Sequence, residues 1–256
     1  MNLLKKMSLF WALFSVAFFL LRTKDPFYGN ILMADIGDLG GITYLYSTVG
    51  IIFSILAGFV IQNRWDRWTS LELAVTGEVA ALRELWAWSR RCPGPIRTAI
   101  LKATQDYLAI TIREGWERPA GEDESDEEDA VLDSLRSGVL GARVEPERDA
   151  SAVALFCDIL THRANRRQNM RPMPESLRQA LVFANVLVIG LALFIGVKNF
   201  WLDYLFTVSI GLLGYLIYLV VDDLNNPVKP GIWHITPQGY QRLLLKLQQD
   251  RPETKG

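Results

Sequence analysis

Residues from which metal and redox sites are built are scarce, since the 256-residue sequence holds two cysteines and two histidines. Cys92 and Cys157 lie far outside the spacing of a metal knuckle or a redox motif, and His162 and His234 have no cysteine or second histidine nearby. We therefore expect neither a metal site nor a cofactor. The two cysteines are typical of reduced thiols in a cytoplasmic segment.

A surplus of basic charge is also missing. The chain has 27 Lys and Arg residues against 28 Asp and Glu residues, which gives a net charge of −1. Without a basic patch interleaved with aromatic residues, nothing indicates a nucleic-acid partner. The sequence also lacks a nucleophile elbow, a phosphate-binding glycine loop and a metal triad, so its single acids and histidines form no catalytic pattern. We expect that the protein is not an enzyme.

Hydrophobic residues, in contrast, make up 50% of the chain, and the mean hydropathy is +0.15. They are gathered in long uncharged runs that flank a highly charged middle, as in a membrane protein with a soluble insertion. The apolar runs are 7–21, 42–61, 177–197 and 201–221. A helix of about 20 residues is roughly 30 Å long, which is the thickness of the hydrocarbon core of a bilayer. The sequence therefore predicts an all-α membrane protein with four transmembrane helices.

The first run is short, but Lys5 and Lys6 precede it and lysines can reach the interface from inside the membrane. The alternative is a cleaved signal peptide. No small-x-small cleavage site follows the run, so we expect a retained transmembrane helix. A cleaved first segment would leave three spans and the same inner domain.

The second run continues through Arg64 to Trp68 without a proline or a glycine. The same helix is therefore predicted to leave the membrane and continue into water.

Basic residues predict which end is inside the cell. The segment 62–176 holds 16 of the 27 Lys and Arg residues. Those nearest the membrane set the orientation, because cytoplasmic loops carry the excess of positive charge. They are Arg64, Arg67, Arg163, Arg166, Arg167 and Arg171. We expect a cytoplasmic helical domain and cytoplasmic termini. The predicted division is 1–61 for the first two transmembrane helices, 62–176 for the domain, 177–224 for a transmembrane hairpin and 225–256 for a tail helix.

Three local predictions concern the soluble parts. Residues 117–129 hold eight acids in thirteen positions and predict a solvated loop, since the ligand spacing of a calcium loop is missing. A helix over 150–170 is predicted to bury the face formed by Val153, Phe156, Leu160 and Ala164. Thr236 is predicted to cap the tail helix, with Tyr240, Leu243, Leu244 and Leu247 on its apolar face.

Two polar residues in the hairpin have simple interpretations. Asn185, inside the third span, is predicted to form an interhelical hydrogen bond. Asp203, at the outer end of the hairpin, is predicted to lie in water.

The second span carries two stripes with four-residue spacing. Gly50, Ser54 and Gly58 are small residues of the kind that let membrane helices approach closely. Beside them run Ile51, Ile55 and Phe59. This second stripe faces either lipid and the neighbouring spans or, if several subunits form a ring, a hydrophobic constriction that gates by dewetting.

Four stretches carry a resemblance to a known family. They are TVGIIFSILAGFVIQNRWDRW (48–68), YLAITIREGWE (107–117), HRANRRQ (162–168) and LNNPVKPGIWHITPQGYQRLL (224–244). Together they resemble the bacterial bestrophin-like domain family of four-span membrane proteins, and the resemblance covers most of the chain. It implies similarity to bestrophins, which are pentameric anion channels whose second span lines the pore with an apolar neck. Ile51, Ile55 and Phe59 match that neck in residue type and spacing.

One stretch departs from bestrophins, which have a Pro-Phe-Gly motif followed by acids near the end of the fourth span. The corresponding residues 226–231 are NPVKPG and lack both the phenylalanine and the acidic cluster. We therefore do not expect calcium activation.

Two functions remain open from the sequence. The first is an oligomeric channel in the bacterial inner membrane that passes small anions, with the lipid bilayer and further copies of the chain as partners. The second is a membrane-anchored scaffold or regulatory protein that acts through its cytoplasmic helical domain.

Overall fold

The computed structural model describes residues 3–22, 40–117, 126–141, 146–194 and 200–250. About 90% of these residues are helical and none of them lies in a strand, which confirms the all-α prediction. The helices in the described ranges are α1 (Leu3–Arg22), α2 (Gly40–Ser89), α3 (Gly94–Ile112), α4 (Asp126–Gly141), α5 (Pro146–Met170), α6 (Glu175–Phe194), α7 (Phe200–Asn225) and α8 (Gln238–Gln249). A π-helical turn, Arg113–Glu117, follows α3 directly.

The chain divides into two compact units. The first unit comprises Met1–Trp65 and Pro172–Asn225, and the second comprises Asp66–Arg171 and Asn226–Gly256. Among the described residues, three helices are long and apolar enough to cross a membrane: α2 from Tyr44, α6 and α7.

Helix α2 runs for 50 residues, or about 75 Å at 1.5 Å per residue. No proline interrupts it, and the predicted continuation through Arg64 and Trp68 is confirmed. The helix ends at Ser89, shortly before the proline and glycine that lead into α3.

In the first unit, α6 packs on α7 through a close polar contact. The Asn185 side-chain amide donates a hydrogen bond of 3.2 Å to the Gly214 carbonyl, which confirms the predicted interhelical bond. A side chain at Gly214 would place its Cβ 2.4 Å from Asn185 Oδ1, so only glycine permits this approach.

Helix α1 also packs on α7. The rings of Phe10 and Tyr215 stack with their centroids 4.3 Å apart, and the hydroxyls of Ser15 and Tyr204 lie 2.9 Å apart. These contacts pack α1, which contains the first apolar run, against α7 within the first unit.

The prediction that Asp203 lies in water is wrong, since this residue is buried. It belongs to the face of α7 that packs within the first unit, together with Thr207 and Gly211 at four-residue intervals. Its position in the first helical turn also places the carboxylate near the positive end of the helix dipole.

The second unit packs α3, α4, α5, α8 and the later part of α2 around one hydrophobic core. Tyr240, Leu243 and Leu247 of α8 are buried in it, as predicted. The predicted cap at Thr236 is wrong. The helix starts one residue later because the Pro237 carbonyl accepts the first helical hydrogen bond, from Gln241 N at 3.0 Å, and no side chain caps this end.

Two predictions about α4 and α5 are also wrong. The supposed acidic loop ends early, because α4 starts at Asp126; residues 118–125 lie outside the described residues. Acids in a first helical turn are stabilised by the helix dipole, so this part of the run suits a helix N-terminus. On α5 the buried side chains are Ala152, Phe156, Ile159 and Arg166, whereas Val153, Leu160 and Ala164 are exposed. The buried face of α5 therefore lies about one residue away from the predicted one.

Candidate functional site

The candidate neck residues share one exposed stripe on α2. The exposed fractions of Ile51, Ile55 and Phe59 are 60%, 68% and 70%. The other side of the helix is buried in the first unit through Phe53, Ala57 and Val60, which pack with residues of α6 and α7. Three large apolar side chains therefore point away from the core of their own unit.

The small-residue stripe lies beside the neck stripe and is also uncovered. A Cβ added at Gly50 or Gly58 would meet no atom within 4 Å. Ser54 is exposed, and its hydroxyl donates a 2.8 Å hydrogen bond to the Gly50 carbonyl, so its polarity is satisfied within the helix. Within the described residues, this stripe is not used for helix packing.

Two residues of each stripe line one apolar groove, which has a volume of about 480 Å³. Gly50, Ile51, Ser54 and Ile55 form its α2 side. Its α7 side consists of Ile210, Leu213, Gly214 and Ile217.

A charged cluster occupies the interior of the second unit. Its centre is Glu78, a fully buried glutamate on the apolar face of α2. Arg166 of α5 donates to the Glu78 carboxylate from Nε at 2.8 Å, and the hydroxyls of Tyr107 and Tyr240 donate to it from α3 and α8. The Tyr240 bond is 2.9 Å long. One carboxylate thus binds three other helices to α2.

A second buried carboxylate, Glu128 of α4, completes this cluster. Arg166 Nη2 bridges the two acids, because it also donates to Glu128 at 2.7 Å. Arg163 and Arg167 donate to the same carboxylate, at 3.3 Å and, from Arg167 Nε, at 3.1 Å. The Thr111 hydroxyl donates from α3 at 3.2 Å. We call Glu78, Glu128, Arg163, Arg166, Arg167 and the two tyrosines the buried ionic cluster.

Burial and neighbouring charges shift the pKa values of groups in the buried ionic cluster. Burial alone would raise the pKa of Glu128, but the positive charges of Arg166, Arg163 and Arg167 outweigh it and lower that pKa to about 2. Burial, and next the negative charge of Glu78, raise the pKa of Tyr107 and of Tyr240 well above the ordinary value. At neutral pH Glu128 is therefore ionised, and Tyr107 and Tyr240 keep the hydroxyl protons that they donate to Glu78.

Sequence reasoning missed both glutamates of the cluster. The available signal was the position of Glu78, which falls on the apolar face of α2 between Val75 and Leu82 and is therefore expected to need a buried partner. The cluster also explains why some of the quoted motifs lie together: Tyr107, the arginines from Arg163 to Arg167, and Tyr240 come from three of them.

Five of the basic residues that predict the membrane topology have different surroundings. Arg64 is buried in the first unit and Arg67 is partly buried on α2. Arg163, Arg166 and Arg167 pair with the acids of the buried ionic cluster. The structure thus gives these three arginines a role that the sequence had not suggested.

Comparison with family models gives a match over most of the chain. Residues 38–237 match the family model of the bestrophin-like domain. No curated protein matches the chain.

Solved structures of a bacterial bestrophin homolog from Klebsiella pneumoniae have a similar fold. For one single-substitution variant the TM-score is 0.76 at 12% identity, over 95% of this chain and 99% of that chain. For a second variant the TM-score is 0.74 at 12% identity, over 97% of this chain and 99% of that chain.

Proposed function

The chain belongs to the bestrophin-like domain family, and from that membership we propose that it is an oligomeric, anion-conducting channel whose pore is lined by α2. Known members of this family and fold are ion channels. The observation that carries the proposal is the exposed stripe of Ile51, Ile55 and Phe59. Repeated around a ring of subunits, these side chains form an apolar neck that gates by dewetting.

The uncovered small-residue stripe supports the oligomer. An exposed apolar stripe alone is equally compatible with lipid, but Gly50, Ser54 and Gly58 run beside it with open space over both glycines. In a membrane, small residues gain most from contact with another helix. A neighbouring subunit that packs on this stripe turns the adjacent large side chains toward the axis of the ring. By analogy with bestrophins the ring is a pentamer.

The proposed topology has four spans in the bacterial inner membrane. The helices α2, α6 and α7 have the length and hydropathy of spans, and the aromatic and hydroxyl contacts of α1 with α7 support a fourth span beside them. The second unit and both termini lie in the cytoplasm, in line with the basic residues Arg64 and Arg67 at the exit of α2.

Planar-bilayer recording of the reconstituted protein tests the proposal. We expect an anion-selective current, measured as the reversal potential in asymmetric KCl. The variant with alanine at positions 51, 55 and 59 should conduct more than the parent protein, because a wider and less apolar constriction is easier to wet.

A matched control truncates another exposed apolar stripe, on α6. Phe183, Val186 and Leu187 are exposed residues of similar size, and their replacement by alanine should leave the conductance unchanged. The proposal fails if no current is observed, or if the α2 and α6 variants behave alike. A monomeric mass in detergent would also exclude this pore and would favour the scaffold function.

A further inference from the structure

The second unit contains a groove that the proposed channel does not use. It lies between α2 and the segment 234–242, and its volume is about 620 Å³, within the range of small-molecule sites. Val75, Val79 and Ile235 are buried residues that form its apolar floor.

One end of the groove and part of its floor are held in place by hydrogen bonds. The Trp68 indole at one end donates to the Trp233 carbonyl at 2.9 Å. Ile235 is fixed at both backbone groups, because its N–H donates to the Pro227 carbonyl at 2.8 Å and its carbonyl accepts from Trp116 Nε1 at 2.7 Å. The groove is therefore preformed, which lowers the entropic cost of binding.

The rim carries more positive than negative charge. Arg83 of α2 and Arg242 of α8 line the groove, and no hydrogen bond or ion pair engages either guanidinium within the described residues. Glu72 is the acid in the lining. Two arginines against one glutamate leave one uncompensated positive charge beside an apolar floor.

We propose that this groove binds a small organic monoanion, such as a carboxylate with an aryl or alkyl body. The carboxylate accepts charge-assisted hydrogen bonds from both Arg83 and Arg242, and the apolar body covers Val75, Val79 and Ile235. An inorganic ion would leave that floor exposed to water. The site is separate from the candidate neck, so binding does not require that the protein conducts ions.

Calorimetric titration of the full-length protein in lipid nanodiscs with 2-naphthoate tests the site, with empty nanodiscs to subtract partitioning. We expect one saturable site per chain. The neutral amide of the same ring system should bind at least about tenfold more weakly, since it lacks the charge that the arginines recognise.

Variants then assign the site to named residues. Arg83→Gln and Arg242→Gln should each weaken 2-naphthoate binding about tenfold, whereas Arg136→Gln, at an exposed arginine of α4, should not. Ala80→Phe, on an exposed lining position, fills the groove without a change of charge and should abolish binding.

Three results would overturn the assignment. One is equal affinity for the acid and the amide, and another is equal weakening by Arg83→Gln and Arg136→Gln. The third is a fall in oligomer mass with Ala80→Phe, because the groove would then be covered by a second copy of the chain. Circular dichroism spectra that match the parent protein establish that each variant is folded.

Discussion

The buried ionic cluster makes a strong prediction about stability, centred on Glu128. Replacing Glu128 by glutamine keeps the shape of the side chain but removes the charge that Arg163, Arg166 and Arg167 share. Removing one partner of a buried ion pair costs about 3–5 kcal/mol. The shift of the Glu128 pKa from 4.5 to about 2 corresponds to about 3 kcal/mol, at 1.36 kcal/mol per pKa unit. Both values therefore give a loss of about 3 kcal/mol in the free energy of unfolding.

Thermal unfolding of the purified full-length protein measures this effect. For a chain of this size, a loss of about 3 kcal/mol lowers Tm by about 6–12 °C. The matched control is Glu127→Gln at the neighbouring position. Glu127 is 64% exposed and pairs with the exposed Arg113, so its charge is worth about 0–1 kcal/mol. Both glutamates lie in the first turn of α4, so the helix-dipole contribution is nearly the same in the two variants.

The same pair of variants predicts a pH dependence. The pKa of Glu128 in the folded protein lies below its ordinary value, so the ionised carboxylate stabilises the fold above pH 4.5. This contribution is lost as the pH falls from 4.5 toward 2. The Tm difference between the parent protein and Glu128→Gln should therefore be constant from pH 7 to about pH 5 and then shrink. A Tm of Glu128→Gln within 2 °C of that of Glu127→Gln at pH 7 would refute the reasoning, with 2 °C taken as about the resolution of the comparison.

Two further predictions concern glycines at close helix contacts. Gly77→Ala places a methyl group 2.3 Å from His162 Cε1, so we expect the free energy of unfolding to fall by about 1–3 kcal/mol. A second change, His162→Ala, should partly restore it. Gly94→Ala meets open space and is the control in the same thermal assay. Gly214→Ala should break the bond from Asn185 and lower Tm by a similar amount; a Tm equal to that of the parent protein would contradict the packing of α6 on α7.

Helices that are continuous or uniformly apolar could be predicted from the sequence. Nothing between Ile61 and Trp68 breaks a helix, and α2 indeed continues through this junction. The interhelical hydrogen bond of Asn185 could be predicted because a polar side chain inside an apolar helix has few partners except a neighbouring backbone.

Residues with distant partners could not be predicted in this way. Glu128 is one of eight acids in its run, and composition does not show which of them meets the arginines of α5, 35–39 positions later. The buried face of α5 was predicted wrongly for the same reason. Apolar periodicity favoured Val153 and Leu160, whereas Arg166 fixes the buried side by its pairs with Glu78 and Glu128.

The packed face of α2 in the first unit sets the angular position of its exposed stripe. Phe53, Ala57 and Val60 hold this face against residues of α6 and α7. At the outer radius of a helix, about 5–6 Å, a turn of roughly 20° about the helix axis moves a side-chain tip by about 2 Å. Consecutive residues differ by about 100° around the axis, so a much larger turn is needed to replace Ile55 with the slender Ser54. Repacking of the buried face therefore changes which side chains the exposed stripe presents.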